Sequence, residues 1–318
     1  MPPDIDSVRL HFDQTTLTLL NVILGFVMYG VALDIRVDDF RRVLRDPRPV
    51  VIGFVSQFIL LPALSCALLL LFAPHPALAL GVLLVACCPG GNISNFITQL
   101  ARGNAALSVT LTACATLTAT ALLPLNFALW TTVWARFAAG SGKPPIAVPE
   151  LRVLDMTFVA FTLLALPLFA GMFTARRWPG TARALRNILR GLSLMFLGLF
   201  IAGALYANWA HFVNYISQIV GLVFLHNAAA LCAGYFAAKL GGQPEANRRA
   251  ILFETGIQNS GLALVLIFDF FDGRGGLALV AAWWGVWHII SGLSLAAWFY
   301  FRDRGQAGVR RFTSDSQD

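Results

Sequence analysis

The chain alternates long apolar runs with short polar connections. Nine of the runs approach the roughly 20 residues that a membrane-spanning helix needs: 15–35, 48–72, 77–101, 104–134, 153–175, 188–209, 212–237, 247–271 and 277–300. Almost nothing remains for a sheet, so the pattern predicts an all-α polytopic membrane protein. Two of the runs are interrupted. Residues 89–95 read PGGNISN inside the third, and residues 253–261 read FETGIQNSG inside the eighth. Proline removes a backbone donor and glycine frees the backbone, so each string predicts a helix that breaks within the membrane. Paired breaks in corresponding parts of a chain point to a transporter's binding site.

Composition agrees with this reading. Hydrophobic residues make up 58% of the chain and charged residues 12%, about half the charged share of a soluble domain. The net charge of +7 is explained by topology. Most of the 23 basic residues fall in alternate connections (36–48, near 102, 176–190, 239–249 and 302–318). Only Arg9, Arg136, Lys143, Arg152 and Arg274 fall in the others. Basic loops stay cytoplasmic, so the expected orientation has the N-terminus outside and the C-terminus inside, with no nucleic-acid partner. The first dozen residues lack the basic and apolar stretches of a cleaved signal peptide. The five cysteines fall in apolar runs without ligand spacing and read as packing residues.

The spans 48–72, 77–101, 104–134 and 212–237, 247–271, 277–300 form two trios that enter the bilayer from opposite sides, as an inverted repeat requires. Two spans precede the second trio (153–175, 188–209) and one precedes the first (15–35), so the first half lacks an opening helix.

The chemistry concentrates at the breaks. Asn92, Ser94 or Asn95 can cap the helix resuming after Gly91, whose N-terminus attracts an anionic group. Glu254 is a carboxylate at membrane depth, and such a residue faces a cavity, a partner or an ion path. Freed carbonyls near residues 255–257, with Gln258 and Glu254, make an oxygen set that suits Na⁺. A protonated structural glutamate and a proton-carrying glutamate are the alternatives. Ser108 and Thr112 share a helix face, and Gln57 is an isolated mid-span amide. For both, helix-to-helix hydrogen bonding is the competing role. His288 sits among tryptophans as a core histidine would, and His226 and Asn227 form a similar polar pair. No nucleophile set or phosphate loop occurs locally, so an enzyme is not expected.

The strings CCPGGNISN, ARGNAALS, ETGIQNSGLA and VWHIISG resemble the bile acid:sodium symporter family, over about residues 28–300. The resemblance implies a core domain of two repeats (48–134 and 212–300). It also implies a panel domain (15–35 and 153–209) and a cytoplasmic tail (302–318), in the nine-span form with two crossing discontinuous helices. It implies one Na⁺ site at Ser94, Asn95, Ser108, Thr112 and Glu254. A second would use Gln57, Glu254, Thr255, Ile257 and Gln258. Substrate would meet Asn92, Ile93, Asn259 and His288. Ile289 stands where bacterial relatives can carry an asparagine. The family moves bile acids, pantoate, pyruvate and other organic anions, so the expected activity is sodium-coupled symport of a small organic anion by alternating access. No cofactor is expected beyond two coupling Na⁺ ions, and the expected location is a bacterial inner membrane. A proton-coupled organic anion exporter using Glu254 is the second reading, and an intramembrane enzyme or binding protein the third.

Overall fold

The computed structural model describes residues 14–35, 41, 45–140, 152–207 and 209–314. Among the described residues the named helices run in order: α1 (Gln14–Ala32), α2 (Pro47–Phe72), α3 (Pro76–Cys87), α4 (Ile93–Leu100), α5 (Ala105–Gly140) and α6 (Val153–Arg177). Then come α7 (Pro179–Ala207), α8 (Trp209–Leu240), α9 (Glu245–Gly256), α10 (Ser260–Phe271) and α11 (Gly275–Ser314). No sheet is present among the described residues. Five stretches there are long and apolar enough to cross a membrane: Pro47–Phe72, Ala105–Ala139, Val153–Arg177, Tyr215–Leu240 and Gly275–Arg304. Several helices outrun the apolar runs. α5 continues to Gly140, and α11 continues through the segment expected as a tail.

The two interrupted runs become pairs of half-helices. α3 stops because the residue before a proline is pushed out of helical geometry. Cys88 is extended, at φ −68° and ψ 154°, immediately before Pro89. α9 stops at Gly256, and Ile257 is extended at φ −121° and ψ 101°. A helix apolar on every side has to be buried on every side. Residues Ala77–Cys87 of α3 and Ser260–Ile267 of α10 are accordingly all buried. They join α11 in the main apolar cluster through Leu83, Leu264 and Trp284. In contrast, α6 exposes Leu154, Phe158, Phe169 and Phe173, an apolar surface suited to lipid.

Two helices carry a wide turn that the breaks alone do not predict. Residues 56–60 of α2 and 161–165 of α6 form π-helical turns, closed by Leu61 N–H to Ser56 and Leu166 N–H to Phe161. Each is followed by Leu-Pro. A proline ring collides with the carbonyl four residues back, and local widening to a five-residue repeat relieves that collision. π turns of this kind gather at functional sites, and the first one holds Gln57.

α1 packs mainly on α6 and α7, and touches α10. α9 lies along α8 and meets α4 and α5, while α11 packs on α3, α8 and α10.

Candidate functional site

The two breaks meet. Gly91 N–H donates to the Ile257 carbonyl (2.6 Å), and Asn259 N–H donates to the Pro89 carbonyl (2.9 Å). These bonds frame an antiparallel bridge between Gly90 and Gln258. Backbone freed by unwinding must find partners in a membrane interior, and each break supplies the other's. The approach explains Gly90: a Cβ there would run into the Glu254 carboxylate, and one on Gly91 would press on the Gln258 backbone.

Beside the bridge lies Glu254, 2% exposed. Its Oε2 accepts from Ser94 Oγ (2.8 Å) and Thr112 Oγ1 (2.9 Å). Its Oε1 is buried without a hydrogen-bond partner. Thr112 Oγ1 also lies 3.2 Å from Asn95 Oδ1, and Ser108 Oγ accepts from Thr98 at 3.3 Å. Ser94, Asn95, Ser108, Thr112 and Glu254 thus converge from α4, α5 and α9.

A second group gathers around Gln57 and the bridge residue Gln258. Gln57 Nε2 donates to Gln258 Oε1 (2.8 Å), and Gln258 Nε2 returns a bond to Gln57 Oε1 (3.1 Å). Gln57 Nε2 also reaches the Cys88 carbonyl (2.7 Å), and Gln258 Nε2 the Thr255 carbonyl (2.6 Å). The π turn of α2 presents Gln57 to this cluster, and all its members are buried.

Capping differs from the sequence expectation. Asn92 occupies the N-cap position of α4, but its side chain makes no capping bond, and its buried Oδ1 has no partner. Ser94 and Asn95 are engaged with Glu254 and Thr112 instead. Asn259 does cap α10, with Oδ1 accepting from Leu262 N–H (3.0 Å).

Asn92, Ile93, Asn259 and His288 all line one cavity of about 310 Å³, at the small end of the roughly 300–1,000 Å³ range of ligand pockets. One wall is α1, which contributes Ile23, Leu24, Val27, Gly30 and Val31. These positions recur at three- and four-residue spacing, a single helical face. The opposite wall is the crossover itself, polar where Gln258, Asn259 and Ser260 face inward. Ile289 also lines the cavity.

Some supporting residues had no role assigned from the sequence. Asn227 Nδ2 donates to the Gly256 carbonyl (2.7 Å), and Ser291 Oγ donates to Asn227 Oδ1 (2.6 Å). Asn227 therefore satisfies a carbonyl left free at the end of α9. His226 packs tilted against Trp284, with ring centroids 4.6 Å apart, and lies 2.6 Å from Ser65 Oγ through Nε2. The polar pair HN inside an apolar run was the signal, yet nothing local named its partners. Three cysteines are buried as expected (Cys66, Cys87, Cys88), whereas Cys114 is half-buried and Cys232 exposed.

Long apolar helices, two half-helix pairs and a largely apolar cavity with a polar wall at their crossing define an integral membrane transport protein. The chain belongs to the Sodium Bile acid symporter family, which residues 21–215 match. It is 32% identical over 294 residues to the uncharacterized sodium-dependent transporter YocS of Bacillus subtilis (strain 168), covering 92% of this chain and 86% of that one. It is 31% identical over 252 residues to the ileal sodium/bile acid cotransporter of Oryctolagus cuniculus, covering 79% and 69%. A sodium-dependent organic anion transporter of Mus musculus is 27% identical over 306 residues, covering 93% and 77%. The chain is accordingly a transporter and not an enzyme.

Proposed function

We propose that the protein is a secondary symporter that couples inward Na⁺ movement to transport of a small organic anion. The observation that carries this reading is Glu254 Oε1, a buried carboxylate oxygen without a partner beside two crossing helix breaks. An uncompensated buried carboxylate is costly, and a cation held there offsets it. One Na⁺ would bind among Ser94, Asn95, Ser108, Thr112 and Glu254. A second would bind among Gln57, Gln258, Glu254 and the carbonyls of Thr255 and Ile257. Oxygen donors from hydroxyls, amides and carbonyls suit a hard cation. Two cations, the glutamate and a monoanionic cargo sum to zero charge, which keeps the cost of burying them low.

The cargo's carboxylate would meet the N-terminal ends of α4 and α10 at Asn92, Ile93 and Asn259, with His288 alongside. Half-helix N-termini present free N–H groups and a positive dipole end. The apolar wall of α1 would hold the rest of a bile-acid-like, pantoate-like or 2-oxoacid molecule.

Alternating access would move a core of α2–α5 and α8–α11 against a panel of α1, α6 and α7. The packing of α1 on α6 and α7 supports this grouping. With each half-helix pair counted as one span, the proposed topology is nine spans arranged as an inverted repeat. The proposed location is a bacterial inner membrane with the C-terminus cytoplasmic, on the strength of the basic loops.

Uptake of labelled organic anions into proteoliposomes, with and without an inward Na⁺ gradient, tests the reading. The gradient should stimulate uptake in the unsubstituted protein and not in Glu254→Gln. Equal uptake with and without the gradient, for every anion carried, would remove sodium coupling.

A further inference from the structure

The cavity that meets the crossover also contains a carboxylate. Asp34 follows α1 and lines the cavity together with Asn92, Asn259 and His288. No other Asp, Glu, Lys or Arg lies among the described lining residues. Asp34 continues the α1 stripe, eleven residues beyond Ile23, so the stripe runs roughly 16 Å along the helix. The polar crossover and Asp34 are thus joined by an apolar wall.

Asp34 is held from behind. Arg186 of α7 pairs with it, Nε to Oδ1 at 2.6 Å, and Arg186 Nη2 donates to the Leu33 carbonyl (2.8 Å). Arg186 itself does not line the cavity. The grip on Leu33 and Asp34 orients the carboxylate, and the guanidinium charge partly offsets its field in the cavity. Both side chains are a little over a quarter exposed (28% and 27%).

We infer that Asp34 is a specificity-determining residue: it selects monoanions whose far end donates a hydrogen bond and rejects anions with a second carboxylate there. Arg186 is its positioning residue. The inference rests on the proposed symport reading, since it takes the cargo's carboxylate to sit at the crossover. An ionised carboxyl is an acceptor only, so it favours a hydroxyl, amide or ammonium group facing it. Two like charges in a cavity shielded from water repel more strongly than they do in bulk solvent. A dianion would meet that repulsion at Asp34, and a hydroxylated monoanion would gain a bond. An apolar tail would gain nothing, which separates this filter from simple fit to the α1 wall. Arg186 lowers the repulsion, so its loss sharpens the filter.

The test uses the full chain in proteoliposomes with an inward Na⁺ gradient. The probes are ω-hydroxy monocarboxylates and α,ω-dicarboxylates of matched length, from four to ten carbons. The unsubstituted protein should favour the hydroxy member of the best-carried pair by tenfold or more. Asp34→Asn and Asp34→Ser should narrow that ratio about tenfold, and Arg186→Gln should widen it. The Arg186→Gln arm decides the matter alone if the Asp34 variants do not fold. Hydroxy-to-dicarboxylate ratios unchanged in the folded variants, or a ratio that narrows in Arg186→Gln, overturn the filter while Na⁺-driven uptake leaves the symport reading standing. Failure of the symport reading shows differently: Na⁺ then fails to raise the melting temperature of the unsubstituted protein above that of Glu254→Gln, and the filter falls with it.

Discussion

Gln57 and Gln258, 201 residues apart, exchange a reciprocal pair of amide hydrogen bonds at 2.8 and 3.1 Å. Each also holds a carbonyl freed by a helix break, Cys88 for the first and Thr255 for the second. The pair therefore joins both breaks with side chains, as the Gly90–Gln258 bridge does with backbone. Removing one amide leaves the other buried and short of a partner, at a cost of about 1–3 kcal/mol. Gln57→Ala and Gln258→Ala should each destabilise on that scale. The double variant should lose less than the sum, measured by thermal unfolding in detergent. Additive losses would show that the two amides act independently.

Gly90 is required by close approach. Its Cβ would collide with the Glu254 carboxylate, whereas Gly221 has nothing within 4 Å. Gly90→Ala should destabilise by about 1–3 kcal/mol, the scale of overpacking, and should abolish Na⁺-driven uptake. Gly221→Ala should be neutral or mildly stabilising, because alanine is the better helix former by about 1 kcal/mol. Thermal unfolding and uptake of the two variants side by side make the comparison.

Arg249 ties α9, the end of α4 and α11 together. It is bidentate to Asp303 (2.7 and 3.0 Å), donates to the Ala101 carbonyl (2.6 Å), and stacks 4.5 Å over Phe299. Its side chain is 4% exposed. Removing Arg249 leaves Asp303 partly exposed and still beside Arg302, so the loss is about 1–3 kcal/mol. Arg249→Met should lower the melting temperature sharply and leave the response to Na⁺ in place. A loss of Na⁺ response at unchanged stability would contradict this structural role.

The same corner is sensitive to acid. Burial raises the Glu245 pKa, but hydrogen bonds from Arg302, Tyr235 and Arg249 outweigh it, and the net shift is downward. Arg248 pairs with Glu245 as well, at 3.6 Å, and Asp303 competes for the same arginines. A carboxyl with a lowered folded pKa stabilises the protein above its unfolded pKa, near 4.5. That stability is lost as pH falls through the folded value. Melting temperature should therefore fall between about pH 5 and pH 3, with a shallower slope in Glu245→Gln. Parallel slopes for the two proteins would dismiss the contribution.

Much of this arrangement was legible in the chain, for local reasons. Pro89 with two glycines, and Gly256 with Gly261, announce breaks because proline and glycine act on their own backbone. Glu254 announces itself because charge is rare at membrane depth. The capping expectation failed for a nonlocal reason. Ser94 and Asn95 are drawn to Glu254 and Thr112 on other helices, and Asn92 is left uncommitted beside the cavity. Asn227 was noticed without a role because the carbonyl it serves lies on another helix. The π turn at Gln57 had a readable cause in Leu61-Pro62, but the width of a turn does not show in hydrophobic periodicity. Asp34 lies at the end of the first apolar run, and only the fold brings it to the cavity.

The proposed coupling cation sits on Glu254, between the crossing helix breaks. Equilibrium binding of ²²Na⁺ to the purified protein tests it most directly. The account predicts saturable binding of two ions per chain, abolished in Glu254→Gln and weakened about tenfold or more in Ser94→Ala and Thr112→Val, one lost hydrogen-bonding ligand each. The same ²²Na⁺ isotherm for Glu254→Gln as for the unsubstituted protein would contradict it.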